Sequence, residues 1–248
     1  MFVIFAIFAI FNIKSSVNSY PRNISRMAAP VPTHLFHITA IANLAAIASS
    51  GALLSKERLT ADGLNPTNIA YETIQDRRAR TMVPIAPGGT LHHYVPFHFA
   101  PRSPMLMTID KGNVPGCDLT QNDIVYLTTT AQIIANQGAP FVFTDYHAVM
   151  AIASFFSDLN DLNQINWSIF FEHPLLGGYC KYWQNRSTPA HMMRMETRQA
   201  EFLVRDTVPL AVITQIGVKS QKMAGQVQMA LANTGWNPPI QIVPGWYY

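Results

Sequence analysis

Tyr94-Val95-Pro96-Phe97-His98-Phe99-Ala100-Pro101-Arg102-Ser103-Pro104-Met105-Leu106-Met107 is the stretch on which this chain's reading turns, taken together with Arg198-Gln199-Ala200-Glu201 farther on. A strand at the centre of a sheet runs apolar or alternates, and it avoids proline because proline removes a ladder donor. Here Pro96, Pro101 and Pro104 stand with Arg102 and Ser103 among aromatics. That mixture predicts a surface-shaping, ligand-lining segment rather than a sheet centre.

The chain has 248 residues, enough for one sizeable core, and nothing in its spacing demands a second domain. Hydrophobic residues make up 49% and charged residues 12%. The charged share is about half that of an average soluble domain, so the surface must be rich in Asn, Gln, Thr, Ser and His. A net charge of +3 is too small to imply nucleic-acid binding by itself, and any such site has to be local. Arg77, Arg78 and Arg80 form one local cluster. Cys117 and Cys180 make no CxxC pair, which disfavours a zinc ribbon or disulfide framework and suits free thiols in a reducing cytoplasm.

Met1 to Ile13 is almost wholly apolar, too short to span a bilayer and about the length of a signal-peptide core, yet without a signal peptide's positive start; an export or membrane segment is the alternative to a translation start placed too far upstream. Met27-Ala28-Ala29-Pro30 reads as an ordinary protein start. The expectation is therefore a leader over residues 1–30 that stands outside the fold, a single domain over residues 31–248, and no stable membrane association.

Working outward, Leu35 to Thr39 reads as a strand and Ala40 to Ser49 as a helix that Gly51 caps. Leu53 to Ala79 reads as a covering loop with short helical pieces, and Pro87-Gly88-Gly89 as a turn. Ile124 to Thr128 and Phe141 to Thr144 are expected strands, with a helix from Thr130 to Asn136 between them. A helix is expected over Ala148 to Leu159, with Phe155 and Phe156 packed inward. Phe171 to Met195, rich in Gly, Pro, Tyr, Trp and Arg, is an irregular region long enough to be retained for function. Gln199 to Val204 and Val212 to Val218 read as strands, Lys222 to Asn233 as a helix, and Ile240 to Val243 as a closing strand. Strands scattered among few helices, without a regular βαβ rhythm, predict an α+β fold.

Several side chains invite chemistry, each with an ordinary alternative. His37 and Thr39 share one face of their strand, which equally describes a hydrogen-bonded, half-buried pair. His92, His93 and His98 lack the spacing and carboxylate of a good zinc site. Glu201 stands out in a chain with 14 acidic residues, although a lone glutamate at a strand start is ordinarily solvated. Arg77 and Arg78 suit a phosphate clamp or a solvated helix face. No Walker loop and no GxGxxG occurs, which disfavours ATP and Rossmann chemistry.

Taken in order, Leu35-Phe36-His37-Ile38-Thr39 with Asn43-Leu44, Arg77-Arg78-Ala79, Pro87-Gly88-Gly89-Thr90-Leu91, Tyr94-Val95-Pro96-Phe97, Arg102-Ser103-Pro104-Met105-Leu106, Phe143-Thr144-Asp145 and Gln199-Ala200-Glu201 resemble the DarT family. Those proteins are toxins that ADP-ribosylate DNA using NAD. The resemblance runs from about residue 33 to the end. His98 departs from it, standing where the family often has Tyr. It implies an ADP-ribosyltransferase fold, similar to that of the poly(ADP-ribose) polymerases, with a split, mainly antiparallel sheet and flanking helices.

On that resemblance Glu201 is catalytic together with Arg77 or Arg78, of which Arg78 is preferred. His37, Ile38, Thr39, Ala46, Leu54, Arg77 and Arg78 bind NAD, which is consumed as a substrate without a metal. Leu53 to Arg80 covers the NAD, and Asn160 to Ala200 presents the DNA base. Tyr179, Lys181, Tyr182, Trp183 and Arg186 contact DNA through stacking and charge. The implied activity is transfer of ADP-ribose to thymine in single-stranded DNA by a cytoplasmic toxin, whose partner is a DarG-like macrodomain antitoxin. Transfer to guanine is the alternative within the fold; a histidine-based metal nuclease and a nucleic-acid-binding module without catalysis are the alternatives outside it.

Overall fold

The computed structural model describes residues 27–248. The leader, apart from its last four residues, lies outside them. The elements run β1 (His34–Ala40), α1 (Leu44–Ser50), β2 (Ala52–Leu54), α2 (Lys56–Ala61), α3 (Glu72–Arg80), β3 (Tyr94–His98), α4 (Pro104–Asp110), β4 (Ile124–Thr130), α5 (Ala131–Asn136) and β5 (Phe141–Thr144). There follow β6 (Phe155–Phe156), α6 (Ser168–Phe171), β7 (Leu175–Leu176), β8 (Tyr179–Cys180), α7 (Arg194–Arg198), β9 (Glu201–Arg205), β10 (Thr207–Pro209), β11 (Gln215–Val218), α8 (Gln221–Leu231) and β12 (Ile240–Ile242). Eight strands form one sheet in the order β12-β11-β4-β1-β3-β9-β5-β6, antiparallel at every pairing but β11 with β12. This is the expected α+β architecture.

The sheet splits in its middle, and the split shapes the site. β1 pairs with β4 along its whole length, from His34 opposite Thr130 to Ala40 opposite Ile124, but meets β3 only at Phe36 opposite His98. Beyond that pair His37 bridges the gap with its side chain, Nδ1 donating to the Pro96 carbonyl at 2.8 Å.

That geometry corrects the reading of the opening stretch. Tyr94 to His98 is a central strand despite its proline, paired with β9 from Tyr94 opposite Arg205 to His98 opposite Glu201. In an antiparallel strand a residue's N–H and C=O point to the same edge. The Pro96 carbonyl faces β1, so its missing N–H faces the gap and costs no ladder bond with β9. The rest of the stretch turns sharply. Arg102 takes a positive φ of 62°, and Ser103 caps α4, accepting from the Leu106 N–H, with Pro104 in the first turn.

A second expectation fails at Ala148 to Leu159. The segment is a run of turns, with Asp145 Oδ1 accepting from the Ser154 N–H, and then the short strand β6. Phe156 stacks on Phe143 at 5.3 Å, and this aromatic pairing across strands outweighs the helical composition. Smaller corrections fall elsewhere. Leu53 and Leu54 belong to β2, which pairs with β10, while Leu210 to Val212 is a helical turn ahead of β11.

The C-terminal segment seals one face of the sheet. Tyr247 donates its hydroxyl to the carbonyls of Ile124 and Gly217, and Trp246 lies so close over Gly217 that a Cβ there would sit 2.4 Å from the ring. Only glycine fits at that point. Cys117 and Cys180 are both free.

Candidate active site

Glu201 opens β9 directly across from His98 on β3 and is buried, with 1% of its surface exposed. Its backbone N–H donates to Thr144 Oγ1 at 3.1 Å, and that hydroxyl donates to the Tyr146 carbonyl, so β5 and the turn after it fix where the strand begins. The carboxylate has two partners. Oε2 accepts from Arg78 Nη1 at 2.7 Å, and Oε1 accepts from the Ala148 N–H at 3.1 Å. His147 Nε2 stands 3.7 Å from Oε1.

Burial alone would push the Glu201 carboxyl up, but Arg78 first, then His147 and His98, outweigh it and hold the group at about 2. Burial lowers both His98 and His147. The site therefore holds an ionised carboxylate, its guanidinium partner and two neutral imidazoles. Two of its buried polar atoms, Arg78 Nη2 and His98 Nδ1, have no hydrogen-bond partner. Such atoms each cost about 1–3 kcal/mol when left bare, and a polar substrate in the cleft offsets that cost.

Arg78 comes from α3, where successive residues point about a third of a turn apart. It is buried while Arg77 is exposed, and Arg77 Nη2 reaches the Val149 carbonyl at 3.2 Å. α3 ends the segment expected to cover a ligand. Asn43, at the base of α1, fastens that segment through both backbone polar groups of one residue: its Nδ2 donates to the Thr67 carbonyl at 3.0 Å and its Oδ1 accepts from the Thr67 N–H at 2.8 Å. The same Nδ2 lies 3.3 Å from Thr39 Oγ1.

His37 is partly buried at the split, and burial lowers its pKa to about 4 despite the carbonyl of Pro96, so the ring is neutral. A carbonyl cannot donate, so Nδ1 carries the proton and Nε2 is left as an acceptor. Thr39 is buried with its oxygen engaged by Asn43, and the Ile38 side chain is in the core, so any contact Ile38 makes must come from its backbone. Ala46 is exposed on α1 and Leu54 half-buried on β2, both offering only apolar surface.

The residues expected to touch DNA divide into two sets. Lys181 and Arg186 are exposed and Tyr182 and Trp183 half-buried, with the Arg186 guanidinium 4.7 Å from the centre of the Tyr182 ring. Tyr179 is a correction. Its ring is buried against Phe36 and Phe171, so it supports the core and is not presented for stacking. His92 is held by Gln75 and His93 by Thr90, and among the described residues no three His, Cys, Asp or Glu side chains gather as metal ligands. Among those residues, too, no helix is long and apolar enough to cross a membrane.

Sequence reasoning attached no role to Asn43, Thr144 or His147. Asn43-Leu44 and Phe143-Thr144-Asp145 stood in the ordered motif set, and that was the available signal. Arg198 was likewise unassigned. It is 3% exposed, donates to the carbonyls of Pro101 at 3.2 Å and Cys180 at 3.4 Å, and lies over the Phe170 ring, tying the opening stretch to the segment leading into Glu201.

A family model described as ssDNA thymidine ADP-ribosyltransferase, DarT, matches residues 36–248. A DNA ADP-ribosyl transferase of Thermus aquaticus is 37% identical over 228 residues, spanning 90% of this chain and 92% of the relative. One from Escherichia coli O127:H6 is 32% identical over 184 residues, spanning 74% and 80%. Among solved structures, Thermus sp. 2.9 DarT in complex with ADP-ribosylated ssDNA superposes with a TM-score of 0.78 at 38% identity, covering 90% of this chain and all of that one. The same protein in complex with NAD+ gives 0.74 at 36%, covering 89% and again all of that chain. With a split antiparallel sheet, a buried glutamate at the head of β9 and a family model spanning nearly the whole described chain, the protein belongs to the DarT family of ssDNA thymidine ADP-ribosyltransferases.

Proposed function

We propose that this protein transfers ADP-ribose from NAD to thymine in single-stranded DNA and acts as a toxin in the cytoplasm, countered by a DarG-like macrodomain partner that removes the mark. The observation that carries the reading is the buried, ionised Glu201 held by Arg78 at the split of the sheet. In the reaction the bond between ribose C1′ and the nicotinamide nitrogen breaks, with its electron pair leaving on nicotinamide. A base nitrogen forms the new bond to C1′ and loses its proton. Positive charge builds on the ribose as the first bond opens, and a fixed carboxylate in a dry site stabilises it far better than water does.

His37 Nε2 accepts from a ribose hydroxyl, and the segment fastened by Asn43 closes over the dinucleotide. A guanidinium does not take up a proton. Arg78 therefore stabilises the deprotonated base through Nη2, and His147, neutral and beside Glu201, receives the proton. Lys181 and Arg186 contact backbone phosphates, while Tyr182 and Trp183 stack on unpaired bases. The net charge of +3 is too small for strong duplex binding, which suits a substrate whose base is already unpaired.

The test is incubation of the full chain with NAD and a mixed-sequence single-stranded oligonucleotide in EDTA, followed by mass spectrometry. An ADP-ribose adduct on thymine is expected. An adduct on guanine moves the acceptor without moving the site, and no adduct overturns the reading.

A further inference from the structure

Asn185 stands in the loop between β8 and α7, with Tyr182 and Trp183 shortly before it and Arg186 directly after it. Its own amide is committed inside the protein. Nδ2 donates to both carboxylate oxygens of Glu196, at 3.1 and 2.9 Å, and Oδ1 accepts from the Met195 N–H at 2.7 Å. The first N–H groups of a helix have no partner within it, and Met193, at the head of α7, supplies no side-chain cap. Asn185 provides that acceptor from outside the helix.

Glu196 carries the connection on to the active site. Its carbonyl accepts from the His147 N–H at 3.1 Å, and Ala148, the next residue, donates its N–H to Glu201 Oε1. The same carbonyl accepts from the Gln199 N–H at 3.2 Å, two residues ahead of Glu201. Through its side chain Glu196 therefore holds the loop, and through its backbone it holds both the turn beside Glu201 and the approach to β9. Hydrogen bonds to an ionised acceptor are the stronger kind, so this tie holds although Asn185 itself is exposed. The transfer described above gives neither residue a task.

We infer that Asn185 and Glu196 are a positioning pair, which sets the DNA-contacting loop in register with the turn that holds Glu201 so that the acceptor base meets C1′ in line. Both act through other residues. A displacement of about 1 Å between reacting groups can cost 10²-fold in rate, and that is the scale on which such a tie works. The inference rests on the DNA-transfer reading and adds to it the link between strand binding and the chemistry.

The experiment uses the full-length chain, NAD and a thymine-containing single-stranded oligonucleotide. Asn185→Ala removes all three hydrogen bonds without changing the net charge. It is expected to lower kcat for transfer by about 10- to 100-fold, while the KM for NAD and the Kd for the oligonucleotide stay within about threefold of wild type. Asn185→Asp sets two carboxylates against each other and should lower kcat, at saturating oligonucleotide, at least as far. Adding Glu196→Gln to Asn185→Asp reverses the roles of donor and acceptor, keeps an acceptor for the Met195 N–H and restores the original net charge. That double variant should return kcat to within about fivefold of wild type, a recovery that simple damage to the loop would not give. Wild-type kcat in Asn185→Ala overturns the inference, and so does a loss in Asn185→Asp that Glu196→Gln fails to recover. A loss confined to KM or Kd also overturns it, since Asn185 then contacts a substrate. No transfer by the wild-type chain overturns the enzyme reading and this inference with it, whereas any of the other failures leaves the enzyme reading standing.

Discussion

Arg78 Nη1 lies 2.7 Å from Glu201 Oε2, and the two residues, 123 positions apart in the chain, are both buried. An ion pair taken out of water gains little net stability, because desolvation offsets most of its Coulomb attraction. Removing one partner is another matter, since the remaining charge stays buried. The pair therefore couples α3, which covers the site, to β9, which carries the carboxylate.

Arg78→Ala is expected to abolish transfer to DNA and to destabilise the protein by about 3–5 kcal/mol, the cost of a buried carboxylate without its partner. Arg77→Ala should instead raise the KM for NAD or DNA and leave kcat largely unchanged, because its side chain is exposed and reaches only the Val149 carbonyl. Steady-state kinetics and thermal melts of the two single variants read the split. Arg77→Ala inactive with Arg78→Ala merely weakened would reverse the roles.

Asn43→Ala removes both hydrogen bonds to Thr67 and frees the segment ahead of α3. The expected result is a rise of about tenfold in the KM for NAD with kcat within a few-fold of wild type, corresponding to about 1.4 kcal/mol of lost closure. Faster amide exchange over residues 62–71 should accompany it. A variant with unchanged KM and unchanged exchange would remove Asn43 from this role.

The pH dependence follows from His37. Its folded pKa of about 4 lies below the ordinary 6.5, so between those values the unfolded chain binds the proton and the folded protein does not. The stability contribution is full above pH 6.5 and falls as pH drops toward 4. Activity should follow the Nε2 lone pair, holding from pH 8 down to about 5 and declining toward 4. A profile that halves near pH 6.5 would mean that His37 titrates as an exposed imidazole.

Arg198→Met should lower stability by about 2–4 kcal/mol, because the carbonyls of Pro101 and Cys180 lose a buried charged donor together. Chemical denaturation checks the value. A loss below about 0.5 kcal/mol would show that the two segments hold their places without it.

Much of this was legible in the residues, and the exceptions have physical reasons. β1, β4 and β5 announced themselves as apolar runs, and Gly51 as the cap of α1, where it takes φ 68°. Pro96 concealed β3, because a proline inside a central strand is tolerated only where its edge faces a gap, and the gap is a property of the whole sheet. Phe155 and Phe156 read as helix because their partner, Phe143, approaches only once β5 is in place. Glu201 looked solvated for the same reason, since the arginine that neutralises it arrives from 123 residues away. Tyr179 was assigned to DNA on the resemblance, among aromatics interleaved with basic residues, and only packing against Phe36 and Phe171 shows it to be core.

The most direct test of the account is the rate of ADP-ribose transfer by Glu201→Gln to a thymine-containing single strand, measured by mass spectrometry beside a circular-dichroism melt. The amide keeps the shape of the side chain and loses the charge. The predicted result is a folded protein whose transfer rate falls by at least on the order of 10²-fold, the typical loss on removing one electrostatic stabiliser of a transition state. A folded variant that keeps its rate within about threefold of wild type would contradict the assignment of the chemistry to Glu201.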